Sequence, residues 1–159
     1  MKIKPIRGTH DIFGNEILKF NKIISNVKYV ANQFNFNELI TPIFENSELF
    51  EKPLGEQSDV VLKEMYTFSD RNKNLLTLRP EYTTPMLRAA ISNNLIEKLP
   101  QKFYGIVPMF RRERPQKGRY RQFNQINFEI LGTHDIISDV ELIILGDNIL
   151  KELFPSKKI

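Results

Sequence analysis

The sequence predicts an α+β fold, an antiparallel sheet flanked by helices. Three observations lead there. A long amphipathic helical stripe stands near each end of the chain. Between them lie several short apolar runs. Those runs are joined by local turns rather than by the regular helical crossovers of a parallel sheet.

The elements can be justified in order. Ile17, Phe20, Ile24, Val27, Ala31 and Phe34 recur at steps of three and four, which predicts a helix over 16–34 with one apolar face. Residues 38–44 (ELITPIF) read as a strand, and Pro42 inside it cannot donate to a ladder, so the strand belongs at an edge, a bulge or an interface. Residues 48–62 are mixed, with a break at Pro53-Leu54-Gly55. Residues 65–69 and 75–79 are apolar runs around the polar cluster 70–74, a hairpin. Thr84-Pro85 reads as an N-cap with proline at the first helical position, opening a helix that carries Met86, Leu87, Ala90 and Ile91 on one side. Residues 103–110 and 123–131 read as two strands with a basic connector. Ser138 to Glu141 reads as a capping box for a last helix with Leu142, Leu145, Ile149 and Leu153 on its buried face.

Composition bounds the function. With 159 residues, 41% hydrophobic and 26% charged, the chain suits one globular domain with a real core. It has no cysteine, so disulfides and thiolate metal sites are excluded, and no run approaches the ~20 apolar residues of a membrane helix. No secretory signal is visible, and the expected compartment is cytoplasmic. The net charge of +4 is concentrated: residues 111–121 (RRERPQKGRYR) hold six basic residues and one acidic, +5, which leaves −1 for the rest. One compact basic patch points to a localised anion such as phosphate, and the alternative is a solvated surface loop.

On the strand 123–131, Phe123, Gln125, Asn127 and Glu129 share one face and Asn124, Ile126, Phe128 and Ile130 the other. The first face is either the wet side of an antiparallel sheet or the floor of a site. Glu81 and Thr83 point the same way in an extended chain, with Tyr82 opposite. Arg111 ends the strand that precedes Gln125 and Glu129. If the strands pair, a guanidinium, an amide and carboxylates converge. Such a set suits an ammonium, a neutral polar group and a carboxylate or α-phosphate, which an amino acid and a nucleotide supply together.

Residues 110–123 (FRRERPQKGRYRQF) resemble motif 2 of class II aminoacyl-tRNA synthetases in the form carried by histidyl-tRNA synthetases. Residues 63–68 (KEMYTF), 78–81 (LRPE), the opening 7–11 (RGTHD) and the helix-then-strand ending in Thr41-Pro42, similar to motif 1, belong to the same resemblance, which covers roughly residues 5 to 153. It implies a class II synthetase-like catalytic fold and activation of histidine by ATP, with Mg²⁺ as the ATP complex, followed by transfer to tRNA(His). Arg111 would contact the α-phosphate and the substrate carboxylate, and Arg111 and Glu113 would be catalytic. Glu113 would stand on the adenine side, and Phe123 would stack on adenine. Glu81, Tyr82, Thr83, Arg111, Gln125 and Glu129 would form the histidine pocket. Arg119 would join Arg111, Glu113 and Phe123 at ATP, in a loop (114–121) that covers ATP and approaches the tRNA acceptor end. A homodimer would form through the first helix and the strand containing Pro42. No resident metal site is implied.

Two residues depart from the family pattern. Tyr82 replaces the usual glycine between Glu and Thr, and Asn124 replaces the usual histidine before Gln125; alternation turns both away from the site. The family's second histidine-specific segment, motif 3 and anticodon-binding domain are not in the sequence. The expectation is therefore an N-terminal, truncated portion of the catalytic domain over 1–159, a weak catalyst alone and dependent on a partner fragment. Two other readings are a non-aminoacylating synthetase-like regulatory subunit of histidine biosynthesis and an RNA-binding module using the basic loop, whose binding would weaken steeply with salt. His10 and His134 lack metal-ligand spacing and read as ordinary polar residues.

Overall fold

The apolar stripe at the start of the chain becomes helix α1, Asn15–Gln33, in the computed structural model, which describes residues 3–54, 64–112 and 116–156. The chain divides into two units, one comprising residues 1–11, 40–93 and 105–127, the other 12–39, 94–104 and 128–159.

In the second unit α1 packs on α4, Ile136–Leu153. Val27, Val30 and Ala31 of α1 and Leu145 and Ile149 of α4 are buried. Strand β1, Asn37–Glu38, pairs in parallel with β5, Gln101–Phe110, placing Asn37 opposite Phe103 and Glu38 opposite Tyr104. This parallel pair is an addition to the expected antiparallel sheet. A parallel neighbour is possible because residues 39–100 form a long connection between the two strands. Strand β6, Gln122–Leu131, is the other neighbour of β5. The Phe128 ring stacks on Tyr104 at 5.8 Å and meets Phe36 edge-on at 5.2 Å.

The first unit holds a small antiparallel sheet in the order β2 (Phe44–Asn46), β4 (Leu75–Leu78), β3 (Tyr66–Ser69). The hairpin between β3 and β4 is where 70–74 predicted it, closed by Asp70, whose carboxylate accepts from the Asn72 and Asn74 N–H groups. Those bonds hold the Asp70 carboxyl below its ordinary range, the Asn74 side-chain bond contributing most. Thr77 is fully buried in the central strand, and its hydroxyl meets those of Ser47 at 2.7 Å and Thr67 at 2.9 Å. Helices α2 (Glu48–Leu54) and α3 (Thr83–Ser92) pack together beside this sheet. The expected break at Pro53 falls inside the last turn of α2, and residues 55–62 lie outside the described ones.

Three sequence expectations are corrected. Residues 39–43 are not part of a strand, so Pro42 lies between β1 and β2 rather than within either. Pro42 has no N–H to give, and its neighbours are engaged by side chains. The Thr41 N–H donates to the Tyr82 hydroxyl at 3.0 Å, and the Arg79 guanidinium donates to the Thr41 and Pro42 carbonyls. Helix α3 starts at Thr83, one residue before the supposed cap, and the Glu81 carboxylate accepts from the Thr84 N–H. Its buried side is Pro85, Met86, Ala89 and Ala90, while Leu87 and Ile91 are exposed. Helix α4 starts two residues before Ser138, capped by Asp135, whose carboxylate accepts from the Ile137 N–H. Glu141, the supposed partner of a capping box, forms an ion pair with Lys102.

Candidate active site

Two arginines organise the first unit. Arg79 follows β4 directly and is 1% exposed. Its Nε donates to the Pro108 carbonyl of β5 at 2.9 Å, and one terminal nitrogen reaches the Thr41 carbonyl at 3.0 Å and the Pro42 carbonyl at 3.3 Å. Its guanidinium lies 5.0 Å from the centre of the Tyr82 ring. Burial lowers its pKa from the ordinary arginine value, the nearby Tyr82 and Glu45 working in the opposite direction. An arginine stays charged under such a shift, so its donors must all be matched to oxygens.

The same segment then builds the site. The Phe110 N–H donates to the Arg79 carbonyl, which lays 79–81 along the end of β5. Arg111 follows β5, and its Nε donates to the Pro80 carbonyl at 2.8 Å. Its guanidinium stands 5.4 Å from the centre of the Phe123 ring on β6. Arg111 is half-buried, and its terminal nitrogens make no hydrogen bond among the described residues. A guanidinium fixed at one edge and open at the other suits bidentate capture of an oxyanion. Glu81 is half-buried beside Pro80, and Thr83 begins α3.

On β6, Phe123, Gln125 and Asn127 are half-buried while Gln122, Asn124 and Ile126 are exposed. The polar face, which alternation alone would leave wet, is the covered one, and Phe123 puts it on the side of Arg111. Asn124 faces away, as its alternation required. The Gln125 side chain makes no hydrogen bond among the described residues. Tyr82 is fully buried, so its side chain points into the core and only its backbone faces Glu81 and Thr83. It does not crowd that core: a Cβ placed on Gly105 of β5 would stand 2.2 Å from the Tyr82 ring, so the ring occupies room that glycine leaves.

The structure thus gathers Glu81, Tyr82, Thr83, Arg111, Arg119, Phe123 and Gln125 in one unit. Glu129 stands in the other unit, further along β6. Glu113 lies outside the described residues. In the loop, Arg119 bridges back to Gln116 through a tight turn with Gly118 at φ 82°. The loop returns to β6 through Arg121, whose N–H donates to the Gly8 carbonyl at 2.7 Å. Gly8 has φ +90° and its Cβ position would fall 2.7 Å from Arg121 Cγ, so the opening RGTHD needs glycine for two reasons. His10 packs on Tyr120 at 4.7 Å. Sequence reasoning missed the parts played by the Pro80 carbonyl, Gly8 and His10; the only sign of them was that RGTHD and LRPE form part of the resemblance.

The tRNA synthetase class II core domain (G, H, P, S and T) matches residues 66–159, more than half of the chain. The chain belongs to this family. A histidine–tRNA ligase of Gluconacetobacter diazotrophicus is 47% identical over 151 residues, covering 95% of this chain and 36% of that protein. The structure of apo Staphylococcus aureus histidyl-tRNA synthetase superposes with TM-score 0.79 at 32% identity, over 94% of this chain and 34% of that one. A Bacillus halodurans protein described as an ATP phosphoribosyltransferase regulatory subunit/histidyl-tRNA synthetase superposes with TM-score 0.81 at 22% identity, over 96% and 38% respectively, a likeness of fold. The chain spans about a third of the length of these relatives. For this class II core domain, the expected α+β synthetase-like fold is the one observed. No described helix is long and apolar enough to cross a membrane.

Proposed function

We propose that this class II core domain carries the amino-acid-activating site of a histidine–tRNA ligase, binding ATP and histidine and forming histidyl adenylate for transfer to tRNA(His). The observation that carries the reading is Arg111, anchored through Nε to Pro80, lying over Phe123, with its outer nitrogens open.

The chemistry needs no general base, since both reactants are already charged. The histidine carboxylate oxygen attacks the α-phosphorus, a new P–O bond forms, and the bond to the β-phosphate oxygen breaks as pyrophosphate leaves. The protein's task is positioning and neutralisation of oxyanion charge. Arg111 holds the α-phosphate and the carboxylate. Adenine stacks on Phe123, an interaction of ~1–3 kcal/mol. Glu81, Thr83 and the Tyr82 backbone receive the α-ammonium, and Gln125 orients the amino acid. Glu129, Glu113 and Arg119 take the roles the resemblance implies. Mg²⁺ enters with ATP as the substrate complex. The exposed Leu18, Ile23 and Tyr29 of α1, and Ile40 and Ile43 beside Pro42, support a homodimer through those segments. The cytoplasm is the compartment in which such a protein would work.

Calorimetry of the purified chain with ATP, histidine and a sulfamoyl analogue of histidyl adenylate tests this reading. Binding of the analogue, lost in Arg111→Met, supports it. Histidine binding by a chain that binds neither ATP nor the analogue would fit a regulatory subunit, and salt-sensitive RNA binding indifferent to ATP would fit an RNA module; either contradicts it.

A further inference from the structure

Strand β6 carries an amide that the proposed roles do not use. Asn127 follows Gln125 by two residues on the half-buried face, and its Oδ1 is buried with no hydrogen-bond partner. A buried acceptor left unmade is costly, and each one kept in a native structure calls for an explanation, of which a partner absent from the free chain is one. Asn127 shares its strand face with Phe123, over which Arg111 stands. The orphan oxygen therefore belongs to the covered face that the nucleotide and amino acid would occupy.

Position along the strand says which part of the ligand reaches it. Phe123 marks the nucleobase end and Arg111 the phosphate and carboxylate. At ~3.3 Å per residue, Asn127 lies about 13 Å beyond Phe123, on the far side of Gln125. That is beyond Gln125 and before Glu129 on the same face, away from the nucleobase, where the amino-acid side chain would extend. We infer that Asn127 Oδ1 accepts a hydrogen bond from an N–H at the tip of the substrate side chain, and so selects for an amino acid that carries one. This rests on the proposed function and adds a specificity-determining residue to it.

The test compares two sulfamoyl adenylate analogues, the histidyl one and a thienylalanyl one whose ring has similar shape but no N–H. In Asn127→Leu, nearly isosteric and without an acceptor, affinity for the histidyl analogue should fall roughly five- to tenfold, the worth of one neutral hydrogen bond. Affinity for the thienylalanyl analogue should be unchanged. Asn127→Asp keeps an acceptor and should retain most of the histidyl affinity. The ligand-free Asn127→Leu chain should melt at the wild-type temperature or above it, because an orphan acceptor has been removed. Equal affinities of wild type and Asn127→Leu for the histidyl analogue, equal losses for both analogues, or a lowered melting temperature of the free variant would overturn the inference and leave the function standing. If the wild-type chain binds neither analogue, the function falls and this inference with it.

Discussion

Arg79 and Arg111 begin alike and end differently. Each follows a strand, each donates Nε to a proline carbonyl at 2.9 or 2.8 Å, and each lies about equally close to an aromatic ring. Arg79 then gives a terminal nitrogen to the carbonyls of 41–42 and disappears into the core, whereas Arg111 stops at Pro80 and keeps its outer edge open. The two are also linked in series, since Arg79 fixes the chain that ends in Pro80 and Glu81. The difference shows that a guanidinium is structural or ligand-binding according to what its terminal nitrogens meet, not according to its local sequence.

The comparison breaks first at Arg79. Arg79→Met leaves three backbone carbonyls without their donor and should destabilise the first unit by about 3 kcal/mol or more, read by urea or thermal unfolding. Arg111→Met should change stability by less than about 1 kcal/mol while weakening the adenylate analogue by at least tenfold, the worth of charge-assisted bonds. Comparable stability losses in the two variants would erase the distinction. Tyr82→Gly should cost about 3 kcal/mol through the cavity and the lost Thr41 bond. If Tyr82 and Gly105 are complementary, Gly105→Ala should also be destabilising alone but much less so in the Tyr82→Gly background, a non-additivity that a double-mutant cycle measures. Phe123→Ala should weaken ATP by ~1–3 kcal/mol with histidine affinity little changed, in titrations of each ligand alone.

The smallest expected effect is at Asp70. Its carboxyl is held below the ordinary value when folded, so the carboxylate contributes stability above the unfolded pKa and loses it as pH falls through the folded one. Asp70→Asn should lower stability slightly near neutrality, and the gap to the wild type should close as pH falls below about 4, which flattens the acid limb of the variant's stability curve.

Much of this was legible in the chain. The α1 stripe, the 70–74 hairpin and the two long strands follow from periodicity and turn chemistry, and the approach of Arg111 to Phe123 joins the end of one long strand to the start of the other. Helix starts were less legible, because Thr84 and Ser138 carry the same local signal as the groups that do the capping, Glu81 and Asp135. The strand expected over 38–44 failed because Arg79 and Tyr82, about forty residues away, take its backbone groups. Tyr82 itself fits only because Gly105 is bare, a pairing that no local rule reveals. Which face of β6 is covered needed the structure too, since Ile126 is exposed and Gln125 is not.

The most direct measurement follows the Nε–Hε nuclear magnetic resonance signals of both arginines, the Arg111 signal being assigned by its loss in Arg111→Met, while the histidyl adenylate analogue is added. The account predicts a saturating shift at Arg111 and a stationary signal at Arg79. An unmoved Arg111 signal at saturating analogue, or equal shifts at the two, would contradict it.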